Sequence, residues 1–300
     1  MLTGLHFLLT YDCNLECDHC FLYCAPRAGG TFTLGQIRQV LLDARRCDGV
    51  KHVYFEGGEP FLYHPLLLEG VRLATSLGFT AGVVSNAYFA TTDEDAELWL
   101  YPLAEAGLSD CSFSDDAFHS GSAKETPAQS ALRVARRLEM NADTICIEQP
   151  VVDAARPSAQ EKGTPIIQGG ARFRGRAVEK LTDGLPRRPW HEWTECPYED
   201  LAQPGRVHLD AFGNVHLCQG LSMGNLWQTP LSVLLAQYDP QRHPICGPLL
   251  RGGPAGLARE SGAPHEDAYV DACHLCYCLR KVLLDAHPEY LGPRLVYGLT

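Results

Sequence analysis

Tyr11-Asp12-Cys13-Asn14-Leu15-Glu16-Cys17-Asp18-His19-Cys20-Phe21 sets three cysteines in a C-x3-C-x2-C spacing, with the aromatic His19 just before the last thiol. Three thiolates on one short loop can hold three irons of a cubane cluster. The fourth iron is then left without a protein ligand and can chelate a small molecule. The spacing points to a reactive cluster rather than a sealed electron carrier. Zinc is the competing reading, because structural zinc takes four nitrogen or sulfur ligands. His19 or Cys24 could complete such a set.

The residues around the triplet set its place in the fold. Leu5–Leu9 is a short apolar run and reads as a buried strand, so the cysteines follow its carboxyl end. Similar runs occur at His52–Phe55, Phe79–Val84, Cys111–Phe113, Thr144–Ile147 and Pro165–Gln168, with helical patterns between them. Thr33-Leu34-Gly35-Gln36 has the form of a capping box, followed by Leu34, Ile37, Leu41 and Ala44 on one face. Thr126-Pro127-Ala128-Gln129 repeats the device with proline at the first helical position. Gly78 and Gly107 stand where helices should end. Strand–helix alternation with short connections implies parallel strands with helical crossovers. Six strands are too few to close an eight-stranded barrel, so the expectation is an α/β fold, a partial (β/α)6 TIM-like barrel with its chemistry at the carboxyl ends of the strands.

The second motif is Phe55-Glu56-Gly57-Gly58-Glu59-Pro60, directly after the second strand. Glycines let the backbone approach a ligand closely, and Glu59 can accept from an ammonium group with charge assistance. A plain strand-to-helix turn is the ordinary alternative. Together with the cysteine triplet one unit earlier, the segment resembles the signature of the radical S-adenosylmethionine superfamily. The resemblance implies that Cys13, Cys17 and Cys20 hold a [4Fe-4S] cluster whose open iron binds S-adenosylmethionine (SAM). It also implies that Gly57, Gly58 and Glu59 meet the methionyl amino group, and that polar groups at later strand ends, Asn86, Ser114 and Asp115, contact the rest of the cofactor. Asp116 is the other aspartate at that strand end, and Ile147 is placed to pack on adenine. Turns, helix caps and core packing are the ordinary roles of these residues.

The tail carries a third group. Cys196 is followed by Gly213-Asn214-Val215-His216-Leu217-Cys218, a hairpin turn ending on a cysteine, and then by Cys273-His274-Leu275-Cys276-Tyr277-Cys278. The layout resembles the Twitch extension, the shorter relative of the SPASM extension. The resemblance implies one auxiliary [4Fe-4S] cluster on Cys196, Cys218, Cys273 and Cys276, with Cys278 as a competitor for the last place. A zinc knuckle is the alternative. Gly175-Arg176-Ala177 resembles a segment found near the sixth strand of members with a second cluster. The expected domains are a barrel over 1–185, a linker at 186–194 and a small C-terminal Twitch-like iron–sulfur domain over 195–300. Cys24, Cys47, Cys111, Cys146 and Cys246 read as small hydrophobes or incidental thiols, with Cys24 and Cys246 the two worth watching.

Bulk properties narrow the function. The chain has 300 residues, 45% hydrophobic and 20% charged, with a net charge of −11 and thirteen cysteines. The acidic balance argues against nucleic acid as a partner, and no apolar run is long enough for a membrane span. The start lacks a basic leader and a cleavage site, so a signal peptide is not expected, and many thiols in a reducing cytoplasm suggest metal. The resemblance implies a radical SAM oxidoreductase. Its cluster takes an electron from a reductant such as flavodoxin or ferredoxin and cleaves SAM to a 5′-deoxyadenosyl radical, which abstracts hydrogen from a C–H bond. A peptide or protein substrate is expected first, with thioether formation, crosslinking or dehydrogenation as outcomes. Oxidation of a small molecule such as an amino sugar is kept close behind, because opening directly on the first strand without an N-terminal peptide-recognition domain weakens the peptide case without removing it. A non-catalytic iron–sulfur carrier or sensor is the alternative from another class. Glu56, Glu148, His119 and Asp210 are the candidates for acid or base.

Overall fold

Successive side chains of a strand point to opposite faces, so in Gly4-Leu5-His6-Phe7-Leu8-Leu9-Thr10 Leu5, Phe7 and Leu9 share one face and His6 and Leu8 the other. In the computed structural model, which describes residues 2–153 and 166–299, this stretch forms β1 (Gly4–Thr10). Leu5, Phe7 and Leu9 are fully buried in the main apolar core. Phe7 stacks on Phe55 with ring centroids 5.4 Å apart. His6 and Leu8 line a cavity on the opposite face.

The following elements are α1 (Leu34–Ala44), β2 (His52–Gly57), α2 (His64–Ser76), β3 (Thr80–Ser85), α3 (Asp93–Glu105), β4 (Leu108–Ser114), α4 (Ala117–Ser120), α5 (Pro127–Arg137) and β5 (Asn141–Ile145). Strands β1 to β5 pair in parallel in chain order. Both capping boxes form, Thr33 with Gln36 and Thr126 with Gln129, and they fix where α1 and α5 begin.

The sheet departs from the expected one in two places. β6 (Val151–Asp153) and β7 (Ile166–Gln168) pair antiparallel with each other in a separate hairpin, so the run at Pro165–Gln168 is not a sixth barrel strand; Pro165 itself lies outside the described residues. The sixth parallel strand comes from further along the chain. After α6 (Arg176–Lys180) and β8 (Arg188–Pro189), β9 (Arg206–Asp210) pairs in parallel with β1. Val207 and Leu209 lie opposite Leu5 and Phe7, and His208 opposite His6. The same two-faced alternation lets β9 continue the sheet without exposing an apolar row.

β10 (Asn214–Cys218) and β11 (Leu221–Asn225) extend the sheet in antiparallel fashion, giving eight strands in the order β11-β10-β9-β1-β2-β3-β4-β5. One sheet therefore runs across the linker expected at 186–194. The chain ends with α7 (Leu231–Gln237), α8 (Cys246–Ser261), which is broken at Gly252–Gly253, β12 (Ala268–Tyr269) and α9 (Ala272–Leu283). β12 pairs with β8 and pins the linker segment. No helix among the described residues is long and apolar enough to cross a membrane.

Candidate functional site

The cysteine loop leaves β1 at its carboxyl end and is held at several points. The Cys13 amide donates to the Ala25 carbonyl at 3.2 Å and the Tyr11 amide to the Gly29 carbonyl at 3.1 Å. Asp12 Oδ1 accepts from the Gly29 amide at 2.6 Å, and Asp12 Oδ2 accepts from the Tyr63 hydroxyl. Cys13, Cys17 and Cys20 all line a cavity of about 390 Å³, within the range of small-molecule and cofactor sites. Burial pushes the Cys13 thiol up to about 11 and the Cys17 thiol up to about 12, whereas the neighbouring Cys24 pulls Cys20 down. Metal binding at the loop therefore displaces protons from at least two thiols.

Gly57 and Gly58 line the same cavity, but the close approach they permit is to the cysteine loop. Gly57 has φ of 125°, and a Cβ there would stand 2.5 Å from the Thr10 carbonyl oxygen; one on Gly58 would collide with the Asp12 carbonyl. The Gly58 amide donates to Thr10 and the Glu59 amide to Asp12, both at 2.8 Å.

Glu59 sits differently from the expectation. It is fully buried, and its carboxylate accepts from Ser85 Oγ and the Asn86 amide, both at 2.8 Å, and from the Phe61 amide at 3.0 Å. Burial pushes the carboxyl up to about 7 against these donors. The residue ties the end of β2 to the end of β3, and Gly57 and Gly58 form the cavity wall beside it. Asn86 does reach the site: its Nδ2 donates to Asn14 Oδ1 at 2.8 Å and to Cys13 Sγ at 3.8 Å.

At the end of β4, Ser114 lines the cavity. Asp115 points away, accepting from Thr126 Oγ1 at 2.7 Å and Gln129 Nε2 at 3.4 Å at the start of α5. Asp116 takes the cavity position instead. Its Oδ1 pairs with His119 Nδ1 at 2.7 Å and its Oδ2 accepts from the Ile147 amide at 3.2 Å. His19 packs 4.5 Å from Phe118 and 5.1 Å from His119 between ring centroids. Burial lowers the His19 pKa to about 4, so the ring is a neutral aromatic surface. Of the acid–base candidates, Glu56 and His119 face the cavity. Asp210 is fully buried and accepts from Tyr11 Oη, Asn214 and His216, which makes it the anchor of the β9–β10 turn. The Glu148 amide donates to the Gly169 carbonyl at 2.8 Å.

The tail cysteines converge as well. Cys196, Cys218, Cys273 and Cys276 line one compact cavity of about 20 Å³. Cys273 and Cys276 are three apart on α9 and share a face. Cys278 lies about 200° round the helix from Cys276, near Glu266 and Lys281. Cys246 is fully buried beside Tyr238. Four thiols around a small space suit one tetrahedral ion or a cubane. Two guanidiniums, Arg174 and Arg280, are buried at the same cavity with 4% and 1% exposure. Buried cations need nearby negative charge, and a dipositive centre held by four thiolates carries two net negative charges.

Arg174-Gly175-Arg176 joins the two groups of cysteines, a role that the sequence pattern alone did not give it. Arg174 Nη1 donates to Cys218 Sγ at 2.8 Å. Arg176 donates to the carbonyls of Cys17 and Cys24 at 2.8 and 2.9 Å, and its amide donates to the Cys20 carbonyl at 2.9 Å. Gly175 has φ of 64°, and a Cβ there would stand 2.5 Å from Phe21 Cα. The only sequence signal is the resemblance of Gly175-Arg176-Ala177 to a segment of members with a second cluster, which says nothing of Arg174.

Residues 7–142 match the Radical SAM superfamily, so the chain carries a radical SAM superfamily domain. It is 32% identical over 113 residues to the tungsten-containing aldehyde ferredoxin oxidoreductase cofactor-modifying protein of Pyrococcus furiosus, covering 37% of this chain and 30% of that protein. It is 20% identical over 125 residues to the putative peptide biosynthesis protein YydG of Bacillus subtilis, covering 42% and 39%. It is 33% identical over 101 residues to the PqqA peptide cyclase of Rhodopseudomonas palustris, covering 33% and 25%. The chain thus spans well under half the length of these curated relatives. Among solved structures, BtrN in complex with AdoMet and 2-DOIA superposes with a TM-score of 0.51 at 14% identity, over 80% of this chain and 83% of that one. The likeness is one of fold.

Proposed function

We propose that this chain is a radical SAM enzyme with two iron–sulfur centres, one open to SAM and one auxiliary. The observation that carries the reading is the convergence of Cys13, Cys17, Cys20, Gly57, Gly58, Asn86, Ser114 and Asp116 on one cavity at the carboxyl ends of β1 to β4. Cys13, Cys17 and Cys20 would hold a cubane that, when reduced, would supply the electron for cleavage of SAM to the 5′-deoxyadenosyl radical. The protein's part is to bind, orient and keep water out. Asn86 holds the loop through Asn14, Arg176 fixes its carbonyls, and Ser114 and Asp116 offer acceptors for ribose hydroxyls. His19 and Ile147 offer flat and apolar surface for adenine. Cys196, Cys218, Cys273 and Cys276 are assigned to the auxiliary centre, with residues 195–300 as its Twitch-like domain and residues 1–185 as the barrel. Arg174 and Arg280 balance the charge of that centre. This supports a route for the second electron in a two-electron oxidation.

The substrate assigned first is a peptide or protein. The names of two relatives speak of peptide biosynthesis and peptide cyclisation. Oxidation of a small molecule is the second reading, and the polar cavity wall of His6, Glu56, Arg206 and His208 favours it. A non-catalytic carrier has no use for an open cavity beside its cluster. The test is substrate-free: anaerobically reconstituted protein, reduced with dithionite, converts SAM to 5′-deoxyadenosine, and the variant with Cys13, Cys17 and Cys20 replaced by Ala does not. Equal product from both proteins, or none from either, overturns the reading.

A further inference from the structure

The cavity contains three polar side chains that the cofactor chemistry leaves unused. His6, Glu56 and His208 come from three adjacent parallel strands, β1, β2 and β9. His208 lies directly opposite His6, and Glu56 lies opposite Leu8, two residues further along the same face. Glu56 Oε1 is 3.3 Å from His6 Nδ1 and 3.0 Å from His208 Nε2. The two imidazole centroids are 5.0 Å apart, and one donor atom from each of the three residues lies within 4.8 Å of the others. The strand backbones hold this arrangement, and His6 is stacked on Tyr54 at 4.9 Å. All three side chains line the cavity.

Glu56 pairs with both imidazoles, yet one ring nitrogen of His208 is buried without a partner among the described residues. His208 is only 7% exposed. Its Nδ1 has no hydrogen-bond partner among the described residues, and the contact of His6 Nδ1 is its 3.3 Å approach to Glu56 Oε1. Buried polar atoms are nearly always satisfied, by protein, water or an ion. Ligand atoms at 2.0–2.2 Å from a tetrahedral metal stand about 3.3 Å from each other. The two nitrogen–oxygen separations, 3.3 and 3.0 Å, lie close to that spacing. Two imidazoles and one carboxylate are the donor set of mononuclear sites that keep positions open for other ligands.

We propose that His6, Glu56 and His208 bind one divalent transition-metal ion on the cavity wall, leaving its other positions open to oxygen or nitrogen donors of the substrate. The site goes beyond the radical SAM reading and does not depend on it. It implies a substrate with a hydroxyl, carboxylate or amine able to chelate, fixed at one end by the ion.

The probe is Mn2+ alone, which carboxylate and imidazole sites accept and thiolates do not favour. It is added to the reconstituted protein with its clusters in the diamagnetic oxidised state. Electron paramagnetic resonance counts bound ions through loss of the free Mn2+ signal, and pulsed measurements read coupling to imidazole nitrogen. The expected result is one Mn2+ per chain with nitrogen coupling. The near-isosteric Glu56→Gln variant, and His208→Ala, should weaken it beyond the roughly 10–100-fold seen when outer-shell partners are lost. Iron content and melting temperature report whether each variant folds. Should His208→Ala fail to fold, Glu56→Gln and the wild-type nitrogen coupling still decide. No binding to folded wild type at about 1 mM (a limit of about 4 kcal/mol), binding without nitrogen coupling, or undiminished binding in folded Glu56→Gln overturns the proposal. The iron count is independent of all three outcomes, so failure here is distinct from failure of the cluster assignment.

Discussion

Replacing Arg174 by glutamine tests the electrostatics of the tail centre. Arg174 Nη1 lies 2.8 Å from Cys218 Sγ, which sets the centre of its charge about 6 Å from the middle of a cubane. At an effective dielectric of about 20, a unit charge at that distance is worth about 3 kcal/mol. Added electron density is stabilised by that amount when the guanidinium is present. At about 59 mV per 1.4 kcal/mol for one electron, the variant's auxiliary potential should fall by about 120 mV. Glutamine keeps an N–H donor, so the shift reports charge more than hydrogen bonding. Glu199 is not left unpaired, because Arg172 and Arg206 remain at 3.6 and 3.5 Å. The assay is a redox titration followed by electron paramagnetic resonance, with Cys13, Cys17 and Cys20 replaced by Ala so that only the tail centre contributes. A shift below about 20 mV, or an upward shift, with iron content intact refutes the charge-balance argument, since it would need an effective dielectric above about 100.

Three further outcomes follow from the same geometry. Cys276→Ala should lose the tail centre and Cys278→Ala should keep it, because the second thiol points away from the shared cavity; equal iron loss in both contradicts this. Arg176→Met removes two charge-assisted bonds to loop carbonyls, each worth roughly 1.5–3 kcal/mol. The first cluster should then be lost faster to a chelator while the tail centre is unaffected; unchanged loss rates refute the role. Glu59→Gln turns an amide nitrogen toward donors that now face a carboxylate, so it should cost about 1–3 kcal/mol, read as a lowered melting temperature. An unchanged melting temperature contradicts the placement of this carboxylate between β2 and β3.

Much of the site was legible because short-range rules fixed it. The two capping boxes and the apolar run of β1 depend on neighbours a few residues away, and they stand as read. The position of Cys276 follows from helical spacing once α9 is recognised. Long-range pairing was less legible. The partner of β1 at its open edge is β9, almost 200 residues later, although Val207-His208-Leu209 carries the same alternation as Leu5-His6-Phe7. Side-chain direction at strand ends was also hidden. Asp115 and Asp116 are adjacent and chemically alike; only the α5 cap, which takes Asp115, shows that Asp116 meets the cavity. Glu59 was read as a ligand because a carboxylate can accept from an ammonium group; its donors Ser85, Asn86 and Phe61, like the Thr10 and Asp12 carbonyls for which the glycines make room, come from packing that the motif does not show. The arginines at 174 and 176 lacked any local rule, since their partners lie over 40 and over 150 residues away.

The central claim is two iron–sulfur centres on one chain, and metal content measures it most directly. Anaerobically reconstituted wild-type protein should hold about eight irons, about four per cluster, and the variant with Cys13, Cys17 and Cys20 replaced by Ala should hold about four. A wild-type count near four irons with one tightly bound zinc would contradict the account and make the tail a structural zinc site.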